Sequence, residues 1–383
     1  MFERKRGLIR APKLLWDILF KGRYSFIYDQ MAMRREGMSF PMRVNLLKAG
    51  INFLYRRAKP WSMPLHTQVE VTNYCNLRCP VCPTGSGALD RKPRAMPPTL
   101  FERFMNEVGQ YLLTISLWAW GEPLLHPQLS EILRIANKYP VITFLSTNGQ
   151  NLEDERVVKA IIDSPPTYLI VAIDGLTDAT NSQYRVGAKL EPILSGVRKV
   201  REEKLRRDQK LPVLHMRFMV MKHNEHEVGH VTDFARDQGF DILTLRSLCP
   251  VNIPSGDILL EEFIADDPAY CGYDLQGDVR LHRSDFMCQH PFWFPTMLAD
   301  GTIVSCSEDY NAEEPFGTCT ESTSFREIWY SGNAEDVRRV IRRSTLQFSF
   351  CKSCPKRDRE STDASVMAIS LKDDGPCVVV KRG

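Results

Sequence analysis

The sequence predicts an α/β protein built around a partial (β/α)6 barrel, similar to a TIM barrel. Short apolar stretches alternate with amphipathic helical stretches six times in succession, a pattern typical of a parallel sheet covered by helices. Most of the 11 cysteines fall in two groups, one directly after the first predicted strand and one in the C-terminal part. We therefore expect a basic helical extension over residues 1–66, the barrel over 67–249, a linker over 250–285, and a small cysteine-rich domain with a tail over 286–383.

Six strand–helix units are predicted along the barrel. The predicted strands cover residues 68–72, 114–118, 141–146, 168–173, 214–221 and 242–246. The predicted helices cover residues 100–113, 129–139, 154–162, 177–184, 191–206 and 225–238. Ligands of such sheets bind at the carboxyl ends of the strands, so candidate site residues are expected there. Pro250, Pro254, Gly256 and Pro268 indicate an irregular linker after the last strand.

The composition is that of an ordinary globular protein. Of 383 residues, 43% are hydrophobic and 25% are charged, which excludes a disordered chain, a fibre and a polytopic membrane protein. No apolar run approaches the roughly 18 residues that a membrane helix needs. The N-terminus does not resemble a secretory signal, so we expect a cytoplasmic protein whose clustered cysteines are metal ligands rather than disulfides.

The net charge of +3 conceals a strong asymmetry. Residues 1–60 carry 14 Lys+Arg against 4 Asp+Glu, a balance of +10, which leaves −7 for the remainder. Apolar residues recur near helical spacing over residues 8–20 and again over 44–55. Basic amphipathic helices with aromatic anchors can contact a membrane, here the inner membrane surface, but helices packed on the body show the same spacing. Both interpretations stay open, and no nucleic-acid-binding module accompanies the charge.

Three cysteines follow the first predicted strand within eight residues. They are Cys75, Cys79 and Cys82, and on one loop they can reach a single metal centre. A structural zinc takes four ligands, whereas a cubane iron–sulfur cluster held by only three cysteines keeps one iron open for a substrate. The spacing alone leaves open a zinc loop completed by a distant ligand.

Polar motifs follow the next three strands. Taken singly, Glu122 could be a surface carboxylate and Asn148 part of a tight turn, but their order along the barrel indicates one site. The candidate residues are Gly121, Glu122 and Pro123 after the second strand, Ser146, Thr147 and Asn148 after the third, and Asp174 after the fourth with Arg185 downstream.

On these motifs the sequence resembles the radical S-adenosylmethionine (radical SAM) superfamily over about residues 67–246. The family signature is three cysteines separated by three and two residues. The resemblance implies a [4Fe–4S] cluster, bound S-adenosylmethionine and its reductive cleavage to a 5′-deoxyadenosyl radical, with reduced flavodoxin or ferredoxin as the electron donor. It also implies that Glu122 contacts the methionine amino group, that the segment from Ser146 lies near the ribose, and that Arg185 approaches the methionine carboxylate. Val81 departs from the family, which usually has an aromatic residue there.

A second cysteine set lies beyond the linker. Cys288 and Cys306 flank a predicted β-hairpin, and Cys351 and Cys354 form a CxxC pair, so zinc or a cubane would each fit. The arrangement resembles the twitch domain, the shorter relative of the SPASM domain, which implies one auxiliary [4Fe–4S] cluster and two clusters in all. The other cysteines are predicted to be ordinary thiols, although Cys319 or Cys377 could replace a ligand; Cys249 and Cys271 are predicted to pack in the interior.

An auxiliary cluster with four protein ligands can accept an electron from a substrate radical. The resemblance therefore implies an oxidoreductase of the dehydrogenase type, and the basic helical N-terminus favours a small-molecule or membrane-associated substrate. The alternatives are a peptide-maturing enzyme, a redox-neutral epimerase or lyase, and a non-catalytic iron–sulfur or zinc-binding protein. Arg217 and Arg246, with His215, are the candidate catalytic residues at the barrel mouth.

Overall fold

The computed structural model of the protein describes residues 12–249, 262–272, 275–276, 279–280, 286–352, 354–358, 364–372 and 379–380. Its strands are β1 (Tyr24–Tyr28), β2 (Met31–Arg35), β3 (His66–Val69), β4 (Thr114–Ser116), β5 (Ile142–Thr147), β6 (Tyr168–Ala172), β7 (Val213–Val220), β8 (Ile242–Ser247), β9 (Leu275–Gln276), β10 (Val279–Arg280), β11 (Thr296–Met297), β12 (Thr302–Val304), β13 (Gly317–Thr318), β14 (Ser365–Ser370) and β15 (Val379–Val380).

The helices alternate with the strands through the middle of the chain. They are α1 (residues 12–19), α2 (Phe40–Tyr55), α3 (Pro83–Ser86), α4 (Pro98–Val108), α5 (Leu129–Ala136), α6 (Glu155–Asp163), α7 (Asp178–Tyr184), α8 (Leu190–Arg206), α9 (Val228–Asp237), α10 (Pro268–Cys271), α11 (His290–Trp293), α12 (Phe325–Trp329), α13 (Gly332–Arg343), α14 (Ser349–Lys352) and α15 (Pro355–Asp358).

A parallel sheet of six strands, β3 to β8 in chain order, forms the centre of the molecule. Alternate side chains such as Leu145, Val171 and Met216 point to one face and pack against the helices that connect the strands. The predicted partial barrel is confirmed, and every predicted strand and helix of residues 67–249 is present with ends shifted by a few residues. The alternation of strands and helices in the sequence therefore determined the architecture of the body.

The N-terminal extension, predicted as helical over residues 1–66, contains a β-hairpin over residues 24–35 that was not predicted. Strands β1 and β2 pair antiparallel around a turn in which Asp29 and Gln30 have φ of 57° and 60°. Met31, Met33 and Arg35 are buried while the residues between them are more exposed, a period of two that favours a strand. Helices α1 and α2 are present as predicted, and residues 1–11 lie outside the described part.

The hairpin packs against the concave face of the sheet, opposite the helices. Met31 and Met33 share an apolar cluster with the first residues of four barrel strands, namely Ile142, Tyr168, Val213 and Ile242. Tyr28 stacks on Phe144 with ring centroids 4.3 Å apart. The hairpin therefore covers the amino ends of these strands from inside the barrel.

The C-terminal region extends the barrel sheet at both edges. The predicted hairpin is present as β11 and β12 around Gly301, whose φ is 93°. Strand β11 pairs in parallel with β3, and β14 pairs antiparallel with β8. Both edges of the six-stranded sheet are thus paired, although the sequence had assigned residues 286–383 to a separate domain.

Only part of the predicted linker lies in the described residues. Within 262–280 the chain forms the short helix α10 and a two-residue ladder between β9 and β10. Pro250, Pro254 and Gly256 fall outside the described residues. In the part of the chain that the structure describes, no helix combines the length and apolar character needed to cross a membrane.

Candidate active site at the carboxyl ends of the strands

The three-cysteine loop follows β3 and folds back on itself. Helix α3 begins directly after Cys82, and the backbone N–H groups of Thr84 and Gly85 donate to the Cys82 thiol. A side chain on Gly85 would overlap the backbone of Cys79, so glycine is required for this close approach. Sequence reasoning did not identify Gly85, although its position three residues after the last cysteine could have indicated it.

Cys75, Cys79 and Cys82 lie close enough for each pair to interact electrostatically. Burial raises the pKa of Cys75 and of Cys79 to about 11, and it also raises the pKa of Cys82. Polar groups oppose this shift. The backbone N–H of Leu77 and the Asn148 amide donate to Cys75, at 3.4 and 3.5 Å, and Arg185 hydrogen-bonds to Cys79. The loop therefore offers three converging sulfur ligands with donors that favour the thiolate form.

The Glu122 carboxylate lies at the end of β4, where only 2% of the residue is exposed. It accepts hydrogen bonds from the Leu124 N–H at 2.9 Å, the Thr147 hydroxyl at 2.6 Å and the Asn148 N–H at 2.8 Å. Burial raises its pKa despite these donors. Glu122 is thus a buried acceptor that joins the ends of β4 and β5, and its description as a surface carboxylate is excluded.

The turn before Glu122 is tightly packed. The Trp120 carbonyl accepts from the Thr84 hydroxyl, and a side chain on Gly121 would overlap the Thr72 carbonyl. Pro123 begins a short 3₁₀ helix that Glu122 caps. These contacts place the carboxylate beside the cysteine loop.

The residues at the carboxyl end of β5 lie in the same place. Ser146 is half-buried, while Thr147 and Asn148 are buried. The Asn148 side chain donates to Asn76 in the cysteine loop at 2.8 Å. Asn148 therefore connects the end of β5 directly to the cysteine loop. It is not only part of a tight turn with Gly149.

Asp174 and Arg185 form a buried ion pair at the end of β6. Nε of Arg185 lies 2.6 Å from Oδ2 of Asp174, and Oδ1 of Asp174 accepts from the Met219 N–H at 2.8 Å. Burial by itself would lower the pKa of Arg185. The charges of Asp174 and Cys79 outweigh this effect and raise the pKa overall, so the guanidinium stays charged. In this arrangement Arg185 faces Asp174 and Cys79 together.

The four predicted auxiliary ligands converge in the C-terminal region. Cys288, Cys306, Cys351 and Cys354 line one small cavity together with Glu308 and Lys356. Burial raises the pKa of Cys288 to about 11 and those of Cys306 and Cys354 to about 12, with further increases from the neighbouring sulfurs. Lys356 supplies a positive charge beside them, 3.4 Å from Glu308.

The remaining cysteines lie apart from this set where the structure describes them. Cys319 lines a different cavity, with Leu100, Arg103 and Glu107, and burial raises its pKa to about 12. Cys271 packs against a cluster that includes Leu77 and Phe263. Cys249 is half-buried, and Cys377 lies outside the described residues.

The donor sets fit a cluster better than a single ion. Among the described residues, no three His, Cys, Asp or Glu side chains are arranged to hold one metal ion. Zinc requires its ligands within about 2.3 Å of one point, whereas a cluster of four irons spreads its cysteines further apart. The all-sulfur composition of both sets is shared by iron–sulfur clusters and structural zinc, so the spread of the sulfurs is the feature that favours a cluster.

Direct hydrogen bonds connect the two cysteine regions. The Trp120 indole donates to the Ser307 carbonyl at 2.6 Å, which places the Glu122 turn next to Cys306. Arg91 pairs with Glu70 at 2.6 Å and donates to the Tyr310 carbonyl at 2.6 Å. Sequence reasoning missed these contacts because neither Trp120 nor Arg91 has a pattern that specifies a partner so far along the chain.

The candidate catalytic arginines lie inside the barrel, and both pair with a residue that sequence reasoning missed. Arg217 and Arg246 each form an ion pair with Asp29 at the tip of the N-terminal hairpin. His215 is fully buried and its Nε2 lies 2.6 Å from the Thr244 hydroxyl, so it is a core residue. No sequence pattern marked Asp29, which resembles an ordinary turn residue.

Comparison with known families supports this geometry. Residues 69–235 match the radical SAM superfamily, and residues 288–355 match the SPASM family, an iron-sulfur cluster-binding domain. The first match contains all three loop cysteines, and the second begins at Cys288 and ends one residue after Cys354. Together the two matches cover more than half of the chain.

Three curated relatives are 24–27% identical to this chain over the aligned residues. The chain is 27% identical over 184 residues to pre-heme d1 synthase from Dinoroseobacter shibae, covering 47% of this chain and 42% of that protein. It is 25% identical over 190 residues to the tungsten-containing aldehyde ferredoxin oxidoreductase cofactor-modifying protein from Pyrococcus furiosus, covering 48% and 51%. The PqqA peptide cyclase from Gluconobacter oxydans is 24% identical over 329 residues, covering 81% and 88%. The chain thus spans about half the length of the first two and most of the third.

Solved structures share the fold. SuiB from Streptococcus suis, bound to S-adenosylmethionine, has a TM-score of 0.56 at 14% identity, covering 84% of this chain and 80% of that chain. The anSMEcpe structure with bound AdoMet has a TM-score of 0.50 at 14% identity, covering 79% and 93%. With the two cysteine sites, the family matches show that the chain contains a radical SAM domain over residues 69–235 and a C-terminal SPASM domain over residues 288–355.

Proposed function

We propose that the protein cleaves S-adenosylmethionine reductively, takes a hydrogen atom from a substrate and oxidises that substrate. The observation that carries the proposal is the convergence of the three loop cysteines with the Glu122 carboxylate and the Asn148 amide. A [4Fe–4S] cluster on three cysteines supplies an open iron for the methionine moiety and, when reduced, the electron that yields the 5′-deoxyadenosyl radical. A reduced flavodoxin or ferredoxin would donate that electron.

The residues of the strand ends have separate roles in this proposal. Cys75, Cys79 and Cys82 hold the cluster. Glu122 accepts three hydrogen bonds from the protein, and a carboxylate has capacity for a fourth, which the methionine amino group would supply. Ser146, Thr147 and Asn148 would contact the ribose. Gly121 and Pro123 fix the turn, and Arg185, held by Asp174, would face the methionine carboxylate.

Cys288, Cys306, Cys351 and Cys354 would hold one auxiliary [4Fe–4S] cluster. With every iron held by a cysteine, this group would supply a one-electron acceptor rather than a substrate-binding site. The proposed reaction is therefore a net oxidation, of the dehydrogenase type, on a small or membrane-associated substrate. The 2.6 Å hydrogen bond from Trp120 to the Ser307 carbonyl supports electron transfer to this cluster, because it holds the turn of Glu122 next to Cys306.

Anaerobic reconstitution tests the proposal. Iron and sulfide are counted, dithionite and S-adenosylmethionine are added, and 5′-deoxyadenosine is measured by liquid chromatography. We expect about eight irons per chain, the content of two cubanes, and 5′-deoxyadenosine that is lost when the three loop cysteines are replaced by alanine. Cys319→Ala is the matched control and should keep both the iron content and the formation of 5′-deoxyadenosine. Bound zinc, or no cleavage with any reductant, would instead favour a non-catalytic metal protein.

Peptide modification is a second candidate function. It is favoured by the similarity to PqqA peptide cyclase, which extends over 81% of this chain. Cell extract can be fractionated into lipids, small metabolites and peptides, and each fraction assayed for stimulation of 5′-deoxyadenosine formation. Stimulation by a peptide fraction that protease treatment abolishes would establish this candidate, whereas stimulation by lipids or small metabolites supports the first proposal.

We also propose that the N-terminal region contacts an anionic membrane surface, such as the inner face of a cytoplasmic membrane. Large apolar side chains are exposed throughout this region, and Lys13, Lys21 and Lys48 accompany them. The exposed residues are Leu14, Leu15, Trp16, Leu19, Phe20, Ile27, Phe40, Ile51, Phe53, Leu54, Tyr55 and Trp61. Such a surface combines apolar anchors with charges complementary to anionic lipid.

Sedimentation with vesicles tests the membrane contact. The protein should pellet with vesicles that contain phosphatidylglycerol and less with pure phosphatidylcholine. Trp16→Ser/Phe20→Ser, which removes two exposed rings whose centroids lie 4.3 Å apart, should reduce the bound fraction. Leu205→Ser, at an apolar residue on α8 that is more exposed than either ring, is the control and should bind normally. Equal binding of all three proteins would contradict the proposal.

A further inference from the structure

The cavity of the four auxiliary cysteines contains three further titratable side chains among the described residues, those of His290, Glu308 and Lys356. Each of these residues lies two positions after one of the cysteines in the chain. The backbone N–H of each donates a hydrogen bond to the sulfur of the cysteine that precedes it in this way. The three residues therefore approach the sulfurs with their backbone as well as with their side chains.

Lys356 and Glu308 form an ion pair inside this cavity. Nζ of Lys356 lies 3.4 Å from Oε1 of Glu308, and the two side chains are only 19% and 9% exposed. Burial by itself would lower the pKa of Lys356, but the charges of Glu308 and the neighbouring sulfurs outweigh this effect and raise the pKa, so the ammonium group stays charged. Burial lowers the pKa of His290 well below its ordinary value, so that ring is neutral. Apart from the sulfurs, the charges that line the described part of the cavity are therefore those of Lys356 and Glu308.

Both charges of the pair act on the sulfurs directly. The ammonium group of Lys356 interacts electrostatically with three of the four cysteines, and the carboxylate of Glu308 with two of them. Arg56 and Asp309 also act on a sulfur, but neither of them lines the cavity. Because buried charges are screened much less than exposed ones, the pair has a strong influence on any change of charge at the four sulfurs.

We propose that Lys356 raises and Glu308 lowers the reduction potential of the auxiliary cluster. This inference rests on the proposed function, because it assigns both residues to the cluster that the four cysteines would hold. Reduction adds one negative charge to such a cluster. A fixed positive charge beside the sulfurs stabilises the reduced form, and a fixed negative charge destabilises it. The opposed pair thereby sets the driving force for the one-electron oxidation of the substrate radical in the proposed reaction.

Redox titration of the auxiliary cluster tests the inference. The three loop cysteines are replaced by alanine in every full-length protein, so that the auxiliary cluster alone is titrated. After anaerobic reconstitution, the samples are equilibrated with mediator dyes and titanium(III) citrate, and the reduced cluster is measured by electron paramagnetic resonance. Lys356→Met should lower the midpoint potential and Glu308→Gln should raise it. Each should change the ratio of reduced to oxidised cluster at a given applied potential about tenfold, which is about 59 mV for a one-electron couple.

Two control variants separate the effect of charge from that of structure. Lys356→Arg keeps the positive charge and should keep the potential of the parent protein. Lys352→Met removes a lysine that follows Cys351 directly but is exposed and does not line the cavity, so it should not shift the potential. A purely structural role would not shift the potential in opposite directions for Lys356→Met and Glu308→Gln. Shifts of the same sign in these two variants, or no shift in either, would overturn the inference.

The remaining outcomes are also decisive. If Lys356→Met does not assemble a cluster, a raised potential in Glu308→Gln with an unchanged one in Lys356→Arg supports the inference, and an unchanged potential in Glu308→Gln overturns it. A parent protein without iron at the auxiliary cysteines would overturn it as well. Formation of 5′-deoxyadenosine is measured in parallel on protein that keeps the loop cysteines. Its absence together with opposite potential shifts would count against the proposed function only, and its presence without those shifts against this inference only.

Discussion

Replacing Glu122 by glutamine tests the proposed cofactor site most directly. In the structure one carboxylate oxygen accepts two hydrogen bonds and the other accepts one from the Asn148 N–H. Glutamine has one acceptor oxygen, so its amide group must face a donor on one side. A buried donor left without a partner costs about 1–3 kcal/mol. We therefore expect Glu122→Gln to lower the free energy of unfolding by that amount.

The same substitution should weaken cofactor binding. The methionine amino group would lose a charge-assisted hydrogen bond of about 1.5–3 kcal/mol, which corresponds to a dissociation constant about 10–150 times higher. Equilibrium dialysis with labelled S-adenosylmethionine measures this constant on reconstituted protein. Thermal unfolding of the same samples measures the stability.

Glu227→Gln is the matched control. Glu227 is also buried and accepts a backbone hydrogen bond, from Leu176 at 2.9 Å, but among the described residues it has no hydrogen bond to the cysteine loop. It should lose stability while keeping its affinity for S-adenosylmethionine. Equal affinity of Glu122→Gln and wild type, or equal loss of affinity in both variants, would refute the assignment of Glu122 to the cofactor.

Three further substitutions test closely packed positions of the fold. Burial lowers the pKa of His66 to about 4, so the unfolded chain takes up a proton at this residue below pH 6.5 that the folded protein resists. His66 should therefore contribute a loss of about 1.4 kcal/mol of stability between pH 8 and pH 5.5. Urea unfolding should show a smaller loss in His66→Asn but not in the exposed control His230→Asn. Gly121→Ala should lower both the melting temperature and S-adenosylmethionine affinity, because its Cβ would overlap the Thr72 carbonyl, while Gly229→Ala, which meets no atom within 4 Å, should be neutral or stabilising. Arg338→Ala should cost about 3 kcal/mol or more in chemical unfolding, since its buried guanidinium donates to the Pro291 and Trp329 carbonyls; a cost no greater than that of the exposed Arg339→Ala would contradict this.

The barrel and both cysteine sets could be predicted from the sequence because their patterns are local. The alternation of strand and helix periods extends over a few residues at a time, and each period reports which face of an element is buried. The cysteines are separated by two or three residues within the loop and by two residues in the CxxC pair. Glu122 and Asn148 were found because parallel strands align their carboxyl ends at one edge of the sheet.

The N-terminal hairpin could not be found in the same way. Its alternating residues lie between two helical stretches, and Asp29 has the appearance of a turn residue. The strands β11 and β14 that cover the sheet edges are only two and six residues long, and their partners come from distant parts of the chain.

The sequence by itself determined the barrel, the residues of the two cysteine sets and the radical SAM and SPASM domains. The tertiary structure decided what lies inside the barrel: the hairpin that covers the amino ends of its strands, and the ion pairs of Asp29 with residues 188 and 217 positions away. The physical reason is that periodicity and ligand spacing act over short distances along the chain. A long-range ion pair has no period, since it forms only when the fold brings the charges together and removes them from water.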